Sequence, residues 1–397
     1  MAADFKFIVI GRGMMGAAAA RHLARQTNGV AVIGPDEPAD RKVHSGVFAS
    51  HYDEGRITRT IDPDPNWALL ANRSIARYRE LERESGIAFY SQVGCLAVGP
   101  RQGGADAYID HVAKAAEALK VRTERFDDEG LRARFPFFSF DRGSDGIYEP
   151  QGAGHISPRR LVKAQSLLAE KVGAKVLKET VVSIRDEGGL TVVTTGEGNV
   201  YRSEKALLAA GGFSIAASLL AAPVEMIVRG RTIAYFEISE ADAMALGTMP
   251  SLITKGPDDV DSIYLLPPIR YADGKYYLKI GGDPNDYDIS SDAEMRAWFR
   301  TDGRASVRDH LTRIVRRLVP DLRPLSISSG ACVTSFSPST YPMIGYTASP
   351  RIAVLTGCSG TSAKSSDEIG RLGAELLLQG RINDDAYSTD FAPHFRQ

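Results

Sequence analysis

The chain has 397 residues, enough for two domains. Its 43% hydrophobic and 24% charged content are those of an ordinary globular protein, and a formal net charge of −1 leaves no electrostatic footprint for nucleic acid or an anionic membrane surface. No apolar run reaches the roughly 18 residues of a transmembrane helix, so no membrane partner is expected. Cys95, Cys332 and Cys358 are odd in number and widely spaced. They form neither a disulfide framework nor a metal-ligand pair, and they point to a reducing, cytoplasmic compartment. The N-terminal apolar run is broken by Arg12 and glycines and has no basic segment before it, so no signal peptide is expected.

The first element organises the rest. Phe7-Ile8-Val9-Ile10 is a short strand-like run, Gly11-Arg12-Gly13-Met14-Met15-Gly16 a glycine turn, and Ala17 to Arg25 an alanine-rich helical run. G-x-G-x-x-G between a strand and a helix predicts dinucleotide binding. Gly11 permits the tight turn, Gly13 lets backbone N–H groups approach a pyrophosphate, and Gly16 lets the helix lie close to the strand. The pyrophosphate would sit at the helix N-terminus, where unpaired N–H groups and the dipole favour an anion. A second strand is expected at Val30 to Ile33. Such strands usually end in an acid that bonds the ribose hydroxyls. Gly34 stands at that place, and Asp36 or Glu37 either reaches back or belongs to a solvated turn.

Ser50 to Arg59 is dense in ionisable groups, and Arg56 and Arg59 stand three apart. Arginine suits bidentate carboxylate recognition; a surface loop is the alternative reading. The helix Trp67 to Ser85 carries a core stripe of Trp67, Leu70, Ala71, Ile75, Tyr78 and Leu81. A strand-like run, Gln92 to Gly99, and a helix, Asp106 to Leu119, follow; Arg122 to Pro136 is charged and expected to be exposed. His155 is a lone histidine with an expected structural role. Ser157 as N-cap and Pro158 as first helical residue introduce a helix, Arg159 to Val172, and Ala174 to Leu177 continues as a strand. Ala206 to Ala210 is strand-like and ends in Gly211-Gly212, a second close backbone approach. Alternating segments from Pro223 to Ile280 predict an antiparallel sheet forming a substrate domain. Helices near Ala293 to Arg300 and Val307 to Leu318, a strand Ile352 to Leu355, a glycine turn through Gly357 and Gly360, and a helix Ser366 to Leu378 complete the chain.

These motifs, in this order, resemble the glycine/D-amino-acid oxidase (DAO) superfamily of flavoproteins over nearly the whole chain. Within it, the chain is most similar to the monomeric sarcosine oxidase and N-methyl amino acid oxidase branch. The matching segments are Gly11 to Gly16, His51 to Arg59, Gly94 to Val98, Gly152 to Leu161, Ala209 to Phe213, Leu278-Lys279-Ile280-Gly281 and Gly357 to Lys364. The resemblance implies an α/β, two-domain flavoprotein. A Rossmann-like FAD-binding domain would take 1–85, 145–220 and 325–397, and an antiparallel-sheet substrate domain 86–144 and 221–324.

It also implies roles. Gly11, Gly13, Met14, Met15, Gly16, Asp36, Ser50, Val182, Gly211, Gly357, Gly360 and Lys364 would line the FAD site. Arg59 and Lys364 would clamp a substrate carboxylate, with His51, Asp283 and Thr334 lining the pocket. Asp283 stands where the branch has a histidine and Thr334 where it has a tyrosine, so a different pocket lining is expected. Arg56 and Lys279 would lie at the flavin ring, the lysine placing positive charge where superoxide develops. Cys332, six residues before Pro338, stands where the branch bonds a cysteine sulfur to the flavin 8α-methyl carbon; a small buried filler is the alternative.

The implied activity is FAD-dependent oxidation of an amino acid or other carboxylate-bearing amine. The C–N bond becomes an imine that hydrolyses, and O2 becomes H2O2. Two alternatives stand beside it: a dehydrogenase of the same fold passing electrons to a quinone or carrier protein, and a non-catalytic dinucleotide-binding subunit. The expected partners are a small amine or amino acid and O2, without nucleic acid, metal or membrane. A monomer is one option for the assembly.

Overall fold

A computed structural model of the chain describes residues 2–256, 262–285 and 287–396. Residues 257–261, inside the segment expected to alternate as β, lie outside the described residues. The first apolar run forms the strand Phe5–Ile10 and the alanine-rich run the helix Met14–Ala24. Small side chains let that helix approach its neighbours closely. At Gly370 of the C-terminal helix Ser366–Gln379, an added Cβ would come within 2.5 Å of Ala18 Cβ.

Among the described residues, eight strands form the first sheet. Phe5–Ile10 runs parallel to both Val30–Ile33 and Val200–Leu208, and the parallel set extends to Lys175–Leu177 on one side and Ile352–Thr356 on the other. Both faces of this set are covered, as a parallel sheet requires. Phe7 and Val9 point into one apolar cluster with Leu207, Leu355 and Leu372, while Ile8 and Ile10 point into another with Leu208, Val354 and Trp298. The period of two puts alternate residues on opposite faces.

Among the described residues the second sheet has nine strands, and Ile227–Ile238 lies near one edge of it, between Tyr276–Gly281 and Ser326–Phe336. It is mixed rather than wholly antiparallel, because Ser251–Thr254 runs parallel to Cys95–Pro100. The strands Ser144–Glu149 and Ser326–Phe336 hydrogen-bond into this sheet, although boundaries at 145 and 325 assign nearly all of both to the first domain. Arg122 to Pro136, expected to be exposed, forms the strand Glu124–Phe126 and the helix Asp128–Arg134, and buries Leu131 and Phe135 in the second core. Among the described residues a third sheet, of Arg56–Thr58, Tyr90–Ser91 and Gly154–Ile156, carries Arg56.

A buried ionic cluster ties the helices behind the first sheet. Asp367, in the first turn of the C-terminal helix, binds Arg21 at 2.8 Å, Arg77 at 2.5 Å and Gln165 at 2.7 Å. Glu368 beside it binds Arg77 and Arg371. Acids suit a helix N-terminus. Burial would raise the Asp367 pKa, but His22, Arg21 and Arg77 hold it well below the usual carboxylate range. Its contribution to stability is therefore complete above about pH 4 and is lost as pH falls toward its lowered folded value. Asp367→Asn leaves Arg21 buried beside a neutral group and should destabilise the protein by about 3–5 kcal/mol, read as a lower urea midpoint at neutral pH.

Candidate active site

A cavity of about 700 Å³ runs between the first two sheets. That is within the roughly 300–1,000 Å³ of small-molecule and cofactor sites. The glycine turn forms one end of it. Gly11 has φ +107, and an added Cβ there would lie 2.3 Å from the Ala209 carbonyl oxygen. At Gly16 an added Cβ would lie 1.9 Å from the Gly11 oxygen, so this glycine acts behind the cavity wall, where helix meets turn. Gly13 lines the cavity and has nothing within 4 Å of an added Cβ, so bare backbone faces the space. The following helix has no side-chain cap and no acid in its first turn, which leaves its N–H groups to an anion. His51 Nδ1, Arg59 Nε, Ser359 Oγ and Thr361 Oγ1 are buried without a protein partner, and all four residues line the cavity. A long cavity with an uncapped helix end and orphaned polar atoms fits FAD.

Met14, Met15, Ser50, Val182, Gly211, Gly360, Cys332, His51, Thr334, Arg56, Arg59 and Lys364 all line this cavity. Gly357, at φ +82, sets the turn below it without lining it. Asp36 is a correction. Its carboxylate pairs with Arg12 and with Lys178, the latter at 2.7 Å, and it does not line the cavity. The reason is Gly34, where an added Cβ would meet Arg12 N at 2.8 Å: Arg12 packs over the strand end, in the space a ribose-binding acid would use. Glu37 is taken by Arg159 at 2.7 Å. Asp283 lines the cavity, but its carboxylate is held by Arg304 at 2.6 Å and by the N–H groups of Thr232 and Asn285 at 3.2 Å, which commits it to the turn it belongs to.

Four cations, the buried Arg59, Lys279 and Lys364 and the half-buried Arg56, form two pairs, and each pair shares one aspartate oxygen. Arg59 Nη1 and Lys364 Nζ both lie 3.1 Å from Asp62 Oδ2. Lys279 Nζ lies 2.5 Å from Asp53 Oδ2 and donates to the Gly55 carbonyl at 2.7 Å, and Arg56 pairs with the same Asp53 oxygen. Arg56 lines the cavity, whereas Lys279 is fully buried and turned to Asp53, outside the lining. This corrects the expectation of a lysine facing the cavity: Asp53, unread in the sequence, captures it.

The electrostatics follow from burial and these partners. Burial lowers the Lys364 pKa to about 8, against the pull of Asp62. Burial, the largest effect, opposes charge on Arg59, but Asp62, Tyr108, Cys95 and Glu149 together outweigh it and the guanidinium pKa is raised. Burial and Arg56 depress the Lys279 ammonium; the Asp53 carboxylate in direct contact favours the charged form. Burial, then Arg12, Arg159 and Arg56, lower the His51 pKa to about 3, so its imidazole is neutral. Burial raises the Cys332 thiol, and Arg56, Lys279 and Arg231 oppose that rise. His155 is buried away from the cavity, and burial lowers its pKa to about 4. The sequence reading also missed Glu149, whose carboxylate accepts the Thr60 and Ile61 N–H groups at 2.9 and 3.0 Å and fixes the backbone just after Arg59.

Comparison with known proteins agrees with this geometry. The DAO family profile, described as FAD dependent oxidoreductase, matches residues 6–376. Monomeric sarcosine oxidase of Bacillus sp. (strain NS-129) is 25% identical over 393 residues, covering 97% of this chain and 96% of that protein. N-methyl-L-tryptophan oxidase of Salmonella arizonae is 24% identical over 381 residues, covering 94% and 95%. Among solved structures, NikD, an amino acid oxidase of nikkomycin biosynthesis, superposes with a TM-score of 0.76 at 21% identity over 100% of this chain and 99% of its own. Among the described residues, no helix is long and apolar enough to cross a membrane.

Proposed function

The chain belongs to the FAD-dependent oxidoreductase (DAO) family, and on that premise we propose that it oxidises the C–N bond of a carboxylate-bearing amine to an imine, which water then hydrolyses. FAD, when bound, supplies the two-electron acceptor for that step. One observation carries the substrate class: Arg59 and Lys364 both line the cavity, and both already hold a carboxylate oxygen, that of Asp62. Two cations and one anion leave one net positive charge, matched to one substrate carboxylate. Relatives named for oxidation of sarcosine and of N-methyl-L-tryptophan support the same class. Net positive charge also favours the neutral form of the substrate amine, so no side-chain base has to take its proton. The neutral His51 adds no further repulsion.

In this reading O2 accepts the electrons and leaves as H2O2. Arg56 and Lys279 with Asp53 leave one net positive charge at the wall that Arg56 forms, and positive charge stabilises the anion produced when O2 gains an electron. A second reading, a dehydrogenase handing electrons to a quinone or carrier protein, draws on one fact: Lys279 is withdrawn from the cavity lining. Cys332 lines the cavity beside these cations and is proposed as a covalent attachment point for the flavin.

Three tests follow. Arg59→Ala and Lys364→Met should each raise the dissociation constant of a carboxylate ligand by about 10- to 150-fold, the loss of a charge-assisted hydrogen bond, without loss of flavin. Normal carboxylate binding in both variants removes the clamp. Lys279→Met should slow reoxidation of the reduced enzyme by O2 far more than its reduction by substrate; if O2 reoxidises wild type and variant equally slowly while an artificial quinone reoxidises both quickly, the dehydrogenase reading stands instead. Acid-precipitated wild-type protein should stay yellow and carry the added mass of FAD, and Cys332→Ala should lose both. Complete release of flavin from the wild type would leave Cys332 as a filler.

A further inference from the structure

We infer that Asp62 is a positioning residue for carboxylate recognition: its Oδ2 oxygen gathers Arg59 and Lys364 into one braced unit of single net positive charge, which receives one substrate carboxylate. The inference rests on the clamp reading above and adds the residue that sets the clamp's charge and shape. Asp62 itself does not line the cavity, whereas both cations do. Its side chain is 4% exposed, with Oδ2 3.1 Å from each cation and Oδ1 accepting the Asp64 N–H at 3.2 Å. It therefore holds both cations from the side away from the cavity lining; Lys364 Nζ also donates to the Thr361 carbonyl at 3.2 Å, and Arg59 Nε has no protein partner.

The segment bearing Asp62 is fixed at both ends. Glu149 holds the Thr60 and Ile61 N–H groups. Asp64 caps the helix Pro65–Ser85 through Trp67 N at 2.9 Å and accepts from Tyr341 OH at 2.6 Å. The charged and titratable groups facing this unit come from several elements. Cys95 lies beside both Arg59 and Lys364, Glu149 beside Arg59, and Tyr108 and Tyr341 beside Asp62. The Trp67 ring lies 5.5 Å from Lys364 Nζ. Among these groups Asp62 is the anion in direct contact with both cations.

Two cations held together in a dry interior repel each other strongly unless an anion stands between them. Arginine cannot relieve that repulsion by losing its proton, and lysine can. Burial already brings Lys364 down to about 8 with Asp62 present. Without Asp62 the proton leaves Lys364 at a lower pH, and the clamp falls back to Arg59 alone.

The test uses flavin-loaded protein and propionate as a non-oxidisable probe, with binding read from the change in visible flavin absorbance. In the wild type, propionate affinity should weaken as pH rises through about 8, and Lys364→Arg should abolish that limb. Asp62→Asn should move the limb down by about one unit or more, with affinity well below that pH equal to wild type or tighter. A profile superimposing on wild type overturns the inference, while Lys364→Met still binding propionate normally overturns the clamp itself. The charge count gives a second, independent readout should the single variant not fold. Lys364→Met leaves the unit with no net charge, and adding Asp62→Asn to it restores one positive charge. The double variant should bind propionate about tenfold or more tighter than Lys364→Met alone. Equal or weaker binding in the double variant overturns the inference.

Discussion

A charge buried in a protein interior needs an opposite charge against it, and the candidate active site is arranged around two such requirements. Between Asp53 and Asp62 the chain reads Asp, Arg, Arg, Asp at intervals of three. Each aspartate pairs with its neighbouring arginine and with one lysine from far away in sequence, Lys279 for Asp53 and Lys364 for Asp62. Breaking such a buried pair from one side is strongly destabilising, because it strands the other charge. The same segment carries Glu54, whose buried carboxylate accepts from Ser157 at 2.7 Å and pairs with Arg159. One short stretch thus binds the second sheet, the helix Pro158–Lys171 and the turn before the C-terminal helix around one cavity.

The rest of the fold presents this stretch to a cofactor. The parallel sheet is covered on both faces, so the space left for a ligand lies at the strand ends, as in other open α/β sheets. There the bare backbone of Gly13 and the uncapped helix end meet the cavity. The second sheet closes the other side with the strand Ser326–Phe336, which presents Cys332 and Thr334. On the proposed function, substrate recognition and electron transfer to an acceptor would draw on separate charge pairs, Arg59–Lys364 and Arg56–Lys279, each braced by one aspartate.

Features set by local chemistry were legible in the sequence. The glycine turn forms as read, because steric need at Gly11 and Gly16 leaves few alternatives. Ser157 caps the helix Pro158–Lys171 through Arg160 N at 3.2 Å, as Ser followed by Pro predicts. Features set by distant partners were not legible. Asp36 follows the usual spacing for a ribose acid but belongs to Arg12 and Lys178. The strand Ser326–Phe336 looks sequence-adjacent to the first domain, yet eleven consecutive pairings place it beside Ile227–Ile238. Lys279 and Asp283 lie where the resemblance puts them along the chain, but Asp53 and Arg304 decide where their charges point. The i±3 acids around the arginines were a visible signal, and their meaning depends on lysines more than two hundred residues away.

In the proposed function a carboxylate, held by Arg59 and Lys364, defines the substrate class of an FAD-dependent amine oxidation. Its most direct test is anaerobic mixing of the flavin-loaded protein with a panel of N-methyl, cyclic and primary amino acids and with the matching amino-acid amides, following the visible flavin band. At least one amino acid should bleach the band quickly while its amide, with the same C–N bond and no carboxylate, bleaches it far more slowly. Amides that bleach as fast as their parent acids would contradict the proposed function.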